Sequence, residues 1–363
     1  MIGAVVVAGV AYVGYRQQKS QGEEGVVKIG GLFGLTGYAA FAGEASRDGF
    51  LMAIEDAGLN PQDYPIEDFH SEQKDAVGAA SKLINTDKVT VVIGPEWLEF
   101  GEVVVPLANS NKVLFISPWM VGEPAWVPSP YYLSGMPSER VLLKRELEYM
   151  AAHGVKKLAL VYHNNAWSHS NIKILKEEIV SQNQIDIVNE TEVNMTDTDF
   201  RTQLVKIHQQ KPDAIYVAFA DDNNQGIFNK QMMELGMRYQ VYVPQSTGAN
   251  TVLKDRFEQY LNGVIWPDKK QGPREQEFES KFEKRYGKKP GAISAATAYD
   301  MTTLVLQAIK NGAHDSDSIA RYLRDVKDYQ GYSNTITFNE KGQVASEEVV
   351  LKQIAQPEDK VLQ

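Results

Sequence analysis

Residues Val89–Val121 read VTVVIGPEWLEFGEVVVPLANSNKVLFISPWMV. The stretch opens on an apolar run, Val89, Val91, Val92 and Ile93, stopped by Gly94-Pro95. It closes on a second, Val113, Leu114, Phe115 and Ile116, stopped by Ser117-Pro118. Short apolar runs ended by turn-forming residues are the pattern of buried strands. Between them Phe100, Val103, Val104 and Leu107 recur at helical spacing, so the order is strand, loop, helix, strand, loop. That is one unit of a parallel α/β sheet, since a parallel neighbour is reached only through a crossover. Both loops then leave one rim of the sheet, where helix N-termini aim amide groups into a crevice and ligands bind.

The same alternation extends to both sides. Val26–Leu32 reads as a first strand, followed by the glycine-rich loop 33–43 and a helix with Phe50, Leu51, Ile54 and Leu59 on its apolar side. The glycines at 30, 31, 34, 37 and 43 do not give G-x-G-x-x-G, which argues against a dinucleotide site. A strand near Ile66–His70 and a helix over Lys74–Asn85 follow, the latter with Ala76, Val77, Ala80, Leu83 and Ile84 on one stripe. Gly122–Pro137, rich in proline, glycine and aromatic residues, reads as an ordered surface segment leading out of the lobe.

A second α/β series starts with a helix at Arg140–His153. Strands are predicted at Leu158–Tyr162, Ile185–Val193, Ala214–Phe219 and Val241–Val243, with helices near Ser170–Ser181, Asp199–Gln210 and Asn224–Leu235. Two such series argue for two similar lobes facing each other across a cleft. Beyond Gly263–Pro267 the pattern turns helical, with helices at Glu275–Tyr286, Ala292–Asn311 and Ser316–Val326. The chain closes on two strand-like runs, Thr335–Phe338 and Val349–Ile354, around the turn Asn339–Gly342.

At 363 residues and 43% hydrophobic content the chain can bury two ordinary cores. A formal charge of -10 offers no basic face to a phosphate backbone, so nucleic acid is not an expected partner. The absence of cysteine removes disulfides, thiolate nucleophiles, cysteine zinc sites and a lipidated N-terminal cysteine, without assigning a compartment. Met1–Tyr15 is almost wholly apolar and is followed by the polar run Arg16–Glu24. It is shorter than the roughly 20 residues of a usual spanning helix and lacks the basic residues that precede a signal-peptide core. A short uncleaved anchor, a poor signal peptide and a signal lacking its start all fit; the expectation is export with the domain anchored to the membrane by residues 1–24.

His163 and His169 beside one strand end, and Asp221-Asp222 beside another, match neither a helix-face metal pair nor a calcium loop, so no metal and no cofactor are expected. They read as solvated loop residues, with Asp221 kept as a candidate ligand contact. G-x-S-x-G, a phosphate loop and H-E-x-x-H are all absent, and an enzyme has no specific support.

With these elements in place, the chain resembles the type I periplasmic binding proteins, most closely their leucine/isoleucine/valine-binding branch. The resemblance is carried by Lys28–Gly58 (KIGGLFGLTGYAAFAGEASRDGFLMAIEDAG), Ala79–Pro95 (AASKLINTDKVTVVIGP), Val113–Pro118 (VLFISP) and Thr337–Val344 (TFNEKGQV), in order from Val26 to about Ile354. It implies an α/β fold of two Rossmann-like lobes with parallel sheets, joined by a three-crossing hinge. The crossings are expected near Met136–Ser138, Ile265–Pro267 and Gln330–Tyr332. The lobes then comprise 25–137 with 266–331, and 138–265 with 332–363. The implied function is capture of a small molecule in the cleft and delivery to the membrane subunits of an ABC-type permease. The alternative is a membrane-anchored sensor or protein-interaction module on the same fold.

Members of the family that bind amino acids hold the carboxylate with small hydroxyl residues and the ammonium with an acid. Laid on this chain, the hydroxyl positions fall on Leu98 and Val121, the small residue after the Pro118 turn on Trp119, the acid on Gln245, and a packing aromatic on Trp167. Both clamps are therefore missing, and the implied ligand is not a standard free amino acid. It is instead a neutral or cationic solute with a flat or apolar face, held by Phe41, Trp97, Leu98, Trp119, Met120, Val121, Trp167, Asp221 and Gln245. Glu96 and Glu99, at the start of the helix after Gly94-Pro95, are expected to occupy the positive end of its dipole and repel an anion. If the register slips, Thr36, Ser117 or Ser246 could take a carboxylate instead.

Overall fold

The computed structural model describes residues 27–120, 128–182, 185–270, 272, 274–345, 348–355 and 358–362. The first lobe begins with β1 (Ile29–Phe33), α1 (Ala40–Asp56), β2 (Ile66–Asp68), α2 (Gln73–Asn85), β3 (Val91–Ile93), α3 (Leu98–Asn111), β4 (Leu114–Ser117) and β5 (Tyr132–Ser134). These strands make one parallel sheet in the order β2-β1-β3-β4-β5, with Val91, Val92 and Ile93 beside Leu114, Phe115 and Ile116. Every residue of β1, β3 and β4 is buried, as a parallel sheet covered on both faces requires.

The second lobe contains α4 (Glu139–Ala152), β6 (Lys157–His163), α5 (Ala166–Gln182), β7 (Asp186–Val193), α6 (Arg201–Gln210), β8 (Ala214–Ala218), α7 (Asp222–Glu234), β9 (Gln240–Tyr242), α8 (Gln245–Gly248), α9 (Thr251–Leu261) and β10 (Ile265–Lys269). The chain then returns to the first lobe for α10 (Glu275–Tyr286), α11 (Ser294–Lys310), α12 (Ser316–Arg324) and the small pair β11 (Tyr329–Gln330) and β12 (Thr335–Ile336). It ends in the second lobe with β13 (Val349–Gln353) and β14 (Lys360–Leu362). The second sheet runs β14-β13-β10-β9-β8-β6-β7, parallel except where β13 lies antiparallel to β10 and β14. The architecture is the two-lobed α/β fold expected from the two strand-helix series.

Two backbone approaches fix the geometry near the cleft. A Cβ on Gly49 would lie 2.0 Å from the Ala295 carbonyl oxygen, so glycine lets α1 and α11 cross with their backbones nearly in contact. Gly94, at φ +114°, would place a Cβ 2.0 Å from the Leu32 carbonyl oxygen. The turn that ends β3 therefore needs glycine both for its conformation and for its closeness to β1.

Five expectations are corrected. Tyr132–Ser134, read within a surface segment, is a buried fifth strand, because Phe115, Ile116 and Ser117 offer a free parallel edge beside it. The two C-terminal runs do not form a hairpin: β12 pairs with β11, whereas β13 pairs with β10 in the other lobe. Leu59 and Val77, placed on apolar stripes, are exposed beyond their helices' packed faces. The second crossing follows Lys269 rather than Ile265–Pro267, since β10 is hydrogen-bonded into the second sheet, and 266–269 therefore stay in the second lobe. The third crossing likewise lies after Val344. Ile336, Phe338 and Val344 pack in the first core with Ile29 and Ile116, and the Val344 amide donates to the Met136 carbonyl at 3.2 Å, so 332–344 belong to the first lobe.

The hinge segments are held by buried charges. Asp300 accepts hydrogen bonds from the Tyr332 amide (2.9 Å), the Ser333 amide (2.6 Å) and the Ser333 hydroxyl (2.6 Å), and the Lys269 ammonium donates to the Ser333 carbonyl. Asp268 is paired with Lys352 at 2.7 Å and accepts from Gln245 Nε2 at 2.8 Å. The apolar N-terminal segment Met1–Tyr15 and its polar tether lie outside the described residues, as does Val121. Among the described residues no helix is long and apolar enough to cross a membrane.

Candidate functional site

A partly open cavity lies between the lobes. From the first lobe it is bordered by Phe41 on α1, by Trp97, Leu98 and Glu99 at the start of α3, and by Trp119 after β4. From the second it is bordered by Trp167 on α5, Phe219 and Ala220 after β8, and Ser246 on α8. All these positions lie on the carboxyl rims of the two sheets or at the helix starts beside them, the place the strand order predicts for a ligand.

The aromatic side chains brace one another. Phe41 sits 5.8 Å from Trp97 and meets Trp119 edge-on at 6.0 Å, centroid to centroid, while Tyr38 stacks on the outer side of Trp97 at 5.6 Å. Across the cleft, Phe219 stacks on His163 at 4.3 Å with ring planes 12° apart. The Ala220 amide donates to His163 Nδ1 at 3.0 Å. Burial pushes the His163 pKa down to about 4, so the imidazole behind this wall is neutral. Trp167 is carried by the first turn of α5, which Asn165 caps through the Ser168 amide at 2.8 Å, and Ser168 donates its hydroxyl to the Ala218 carbonyl at 3.0 Å. Leu98, Val105, Met120, Tyr132 and Trp167 form one apolar cluster, which ties α3 of one lobe to α5 of the other.

Of the residues expected at the site, Phe41, Trp97, Leu98, Trp119 and Trp167 border the cavity. Met120 lies behind it in that apolar cluster. Asp221 does not border it; its carboxylate caps α7 by accepting from the Asn223 amide at 2.9 Å. Gln245 is buried below the cleft and bonded to Asp268, so it serves the hinge network. Of the three alternative hydroxyls, Thr36 donates to Asp68 (2.9 Å), Ser117 donates to the Pro95 carbonyl (2.6 Å), and Ser246 borders the cavity. Phe219 and Ala220 had not been singled out, although their place at the carboxyl end of a predicted strand was a usable signal.

The two glutamates differ from expectation. Burial pushes both Glu96 and Glu99 up to a pKa of about 7, so neither is a permanent charge at the helix end. Glu96 precedes the helix and is fully buried, and neither of its carboxylate oxygens finds a well-formed hydrogen bond. Ser46 and the Gly34 amide approach it more loosely. Glu99, by contrast, is on the cavity wall. Tyr38 donates its hydroxyl to it at 3.3 Å, and its own backbone amide turns toward its carboxylate. Among the described residues no group of three or more histidine, aspartate or glutamate side chains could hold a metal ion.

Residues 26–358, lobes and hinge included, match the model of a periplasmic binding protein family. The chain belongs to that family. Members of this periplasmic binding protein family are solute-binding proteins, and membership implies a place outside the cytoplasm. The fold is similar to that of a leucine-binding protein from Thermotoga maritima, with a TM-score of 0.82 at 20% identity over 93% of this chain and 98% of the other. It is similar to a branched-chain amino acid transporter substrate-binding protein from Streptococcus pneumoniae in complex with isoleucine, with a TM-score of 0.80 at 21% identity over 93% and 99%. It is similar too to an ABC-transporter solute-binding protein from Rhodopseudomonas palustris in complex with 3,4-dihydroxybenzoic acid, with a TM-score of 0.79 at 22% identity over 93% and 95%. No curated protein matches the sequence significantly.

Proposed function

We propose that this periplasmic binding protein captures a small solute between its lobes and presents it to the membrane subunits of an ABC-type permease. The observation that carries the reading is the cavity itself: five aromatic rings, three from one lobe and two from the other, converge on it. A pocket built half by each lobe is completed only when the lobes close, and hinge closure couples occupancy to a shape that a permease can recognise. The solved relatives with isoleucine and with dihydroxybenzoate bound indicate that the fold accepts chemically different ligands.

The lining favours a solute with a flat or compact apolar body over a free α-amino acid. No lysine, arginine or histidine is among the described residues that border the cavity, so a carboxylate entering it meets no countercharge. Leaving a buried charge unpaired costs several kcal/mol, and each ~1.4 kcal/mol is tenfold in affinity. The segment Met1–Tyr15, with Arg16–Glu24 as a solvated tether, would hold the domain at the outer face of the membrane.

Native mass spectrometry of the purified protein identifies the solute it carries, and solution scattering with and without that solute tests closure. The expected result is a smaller radius of gyration on saturation. An unchanged radius with the solute bound in the cleft would contradict the delivery mechanism.

A further inference from the structure

Among the described residues bordering the cavity, Glu99 is the single ionisable one, set in a wall of rings and small groups. Its surroundings are poor in positive charge. Glu102 lies on its own helix, Glu96 just before it, and Tyr38 faces it from the loop before α1. Glu72 and Asp221 add negative charge around Tyr38, and the nearby imidazole of His163 is neutral. The Glu99 backbone amide, which in an uncapped helix would await an anion, is turned to the residue's own carboxylate. The faces of aromatic rings carry negative potential and attract cations. Rings, carboxyl group and the absence of a bordering base all favour the same sign of charge.

We propose, building on the solute-binding reading, that the cleft selects an organic cation, an ammonium or amidinium on a flat or compact apolar body. Its charge sits against Glu99 and its body among Phe41, Trp97, Trp119, Trp167 and Phe219. A carboxyl group whose pKa burial has raised to about 7 is half protonated near neutrality. The arriving cation replaces that proton: the Glu99 O–H bond breaks, the carboxylate keeps the electron pair and pairs with the cation, and the proton passes to the solvent. Tyr38 is a positioning residue, since its hydroxyl holds the carboxylate from behind.

Titration calorimetry on the whole chain, stripped of carried solute, tests this with three probes of one shape: benzylamine, benzyl alcohol and benzoate. Benzylamine is expected to bind about 30-fold more tightly than benzyl alcohol, and benzoate most weakly. The benzylamine affinity should rise between about pH 6 and pH 8, with proton release at the lower end visible in buffers of different ionisation heat. Glu99→Gln should remove both the preference and the pH dependence while leaving benzyl alcohol binding in place. Tyr38→Phe, which keeps the ring against Trp97, should weaken benzylamine several-fold and move its pH midpoint upward.

Benzoate or benzyl alcohol binding as tightly as benzylamine overturns the proposal, as does a cation preference that survives Glu99→Gln. In either case solute binding in the cleft still stands. Absence of binding by all three probes overturns it as well, and the solute-binding reading then rests on the scattering measurement alone.

Discussion

The hinge and the cleft wall are both buried and both contain acids, yet they treat those acids in opposite ways. At the hinge, Asp300 receives three hydrogen bonds and Asp268 is paired with Lys352 and Gln245. At the wall, Glu99 has one long hydrogen bond, from Tyr38 at 3.3 Å, and the Trp97 indole N–H has none, while Glu96, buried just behind, has no well-formed partner. Satisfied charges fix where the crossing strands sit. The Trp97 indole N–H, at the cavity border without a partner, is a donor left for what enters the cleft. Distance along the chain does not separate the two regions, because Gln245 belongs to the hinge and its neighbour Ser246 to the wall.

The largest expected effect is at the hinge. Asp300→Ala strands the Tyr332 and Ser333 amides and the Ser333 hydroxyl in the interior, and should cost about 4 kcal/mol in urea unfolding. A loss below about 1 kcal/mol would erase the contrast between hinge and wall.

The next effect is a pH dependence set at and just behind the wall. The folded-state pKa of Glu96, about 7, stands above its ordinary 4.5. The folded chain therefore holds more protons than the unfolded chain between those values, and this contribution to stability is lost as pH rises through 7. Between about pH 6 and pH 8 the loss amounts to about 1 kcal/mol for this group, Glu99 adds a similar loss, and Glu96→Gln should remove about half of the total. His163, lowered from 6.5 to about 4, acts in the opposite sense. The unfolded chain takes up its proton first, so stability falls as pH drops from 6.5 toward 4. Denaturation curves on the alkaline side of pH 6.5 thus report the glutamates without the histidine.

The smallest effect belongs to the half-buried Ser246. Ser246→Ala should change stability by less than about 0.5 kcal/mol, because the hydroxyl faces a solvent-open cavity. A larger loss would assign it to the hinge network of Gln245.

The fold was legible because its signals are local and repeated. The runs Val91–Ile93 and Leu114–Ser117 announce themselves by composition, and the helix between them by spacing. The crossings were less so, since the chain changes lobe only after β10 and after Val344, without a break in hydrophobicity at either place. Only pairing partners far away in sequence decide which sheet a strand joins. At the site, the rim loops after β3, β4 and β6 pointed to Trp97, Trp119 and Trp167. The placement of Gln245 could not be read, because its partner Asp268 lies in another strand. Nor could the protonation of Glu96 and Glu99, which depends on how completely the lobe closes over them.

The chain has five tryptophans, and three of them, Trp97, Trp119 and Trp167, face one cavity. A fourth, Trp266, lies outside the cavity, near the ammonium groups of Lys254 and Lys352, 5.5 and 5.1 Å from its ring centroid. A solute that packs against these three indoles changes their surroundings together, and with them their emission. Filling of the cleft would thus be readable in the protein's own emission, with no attached dye.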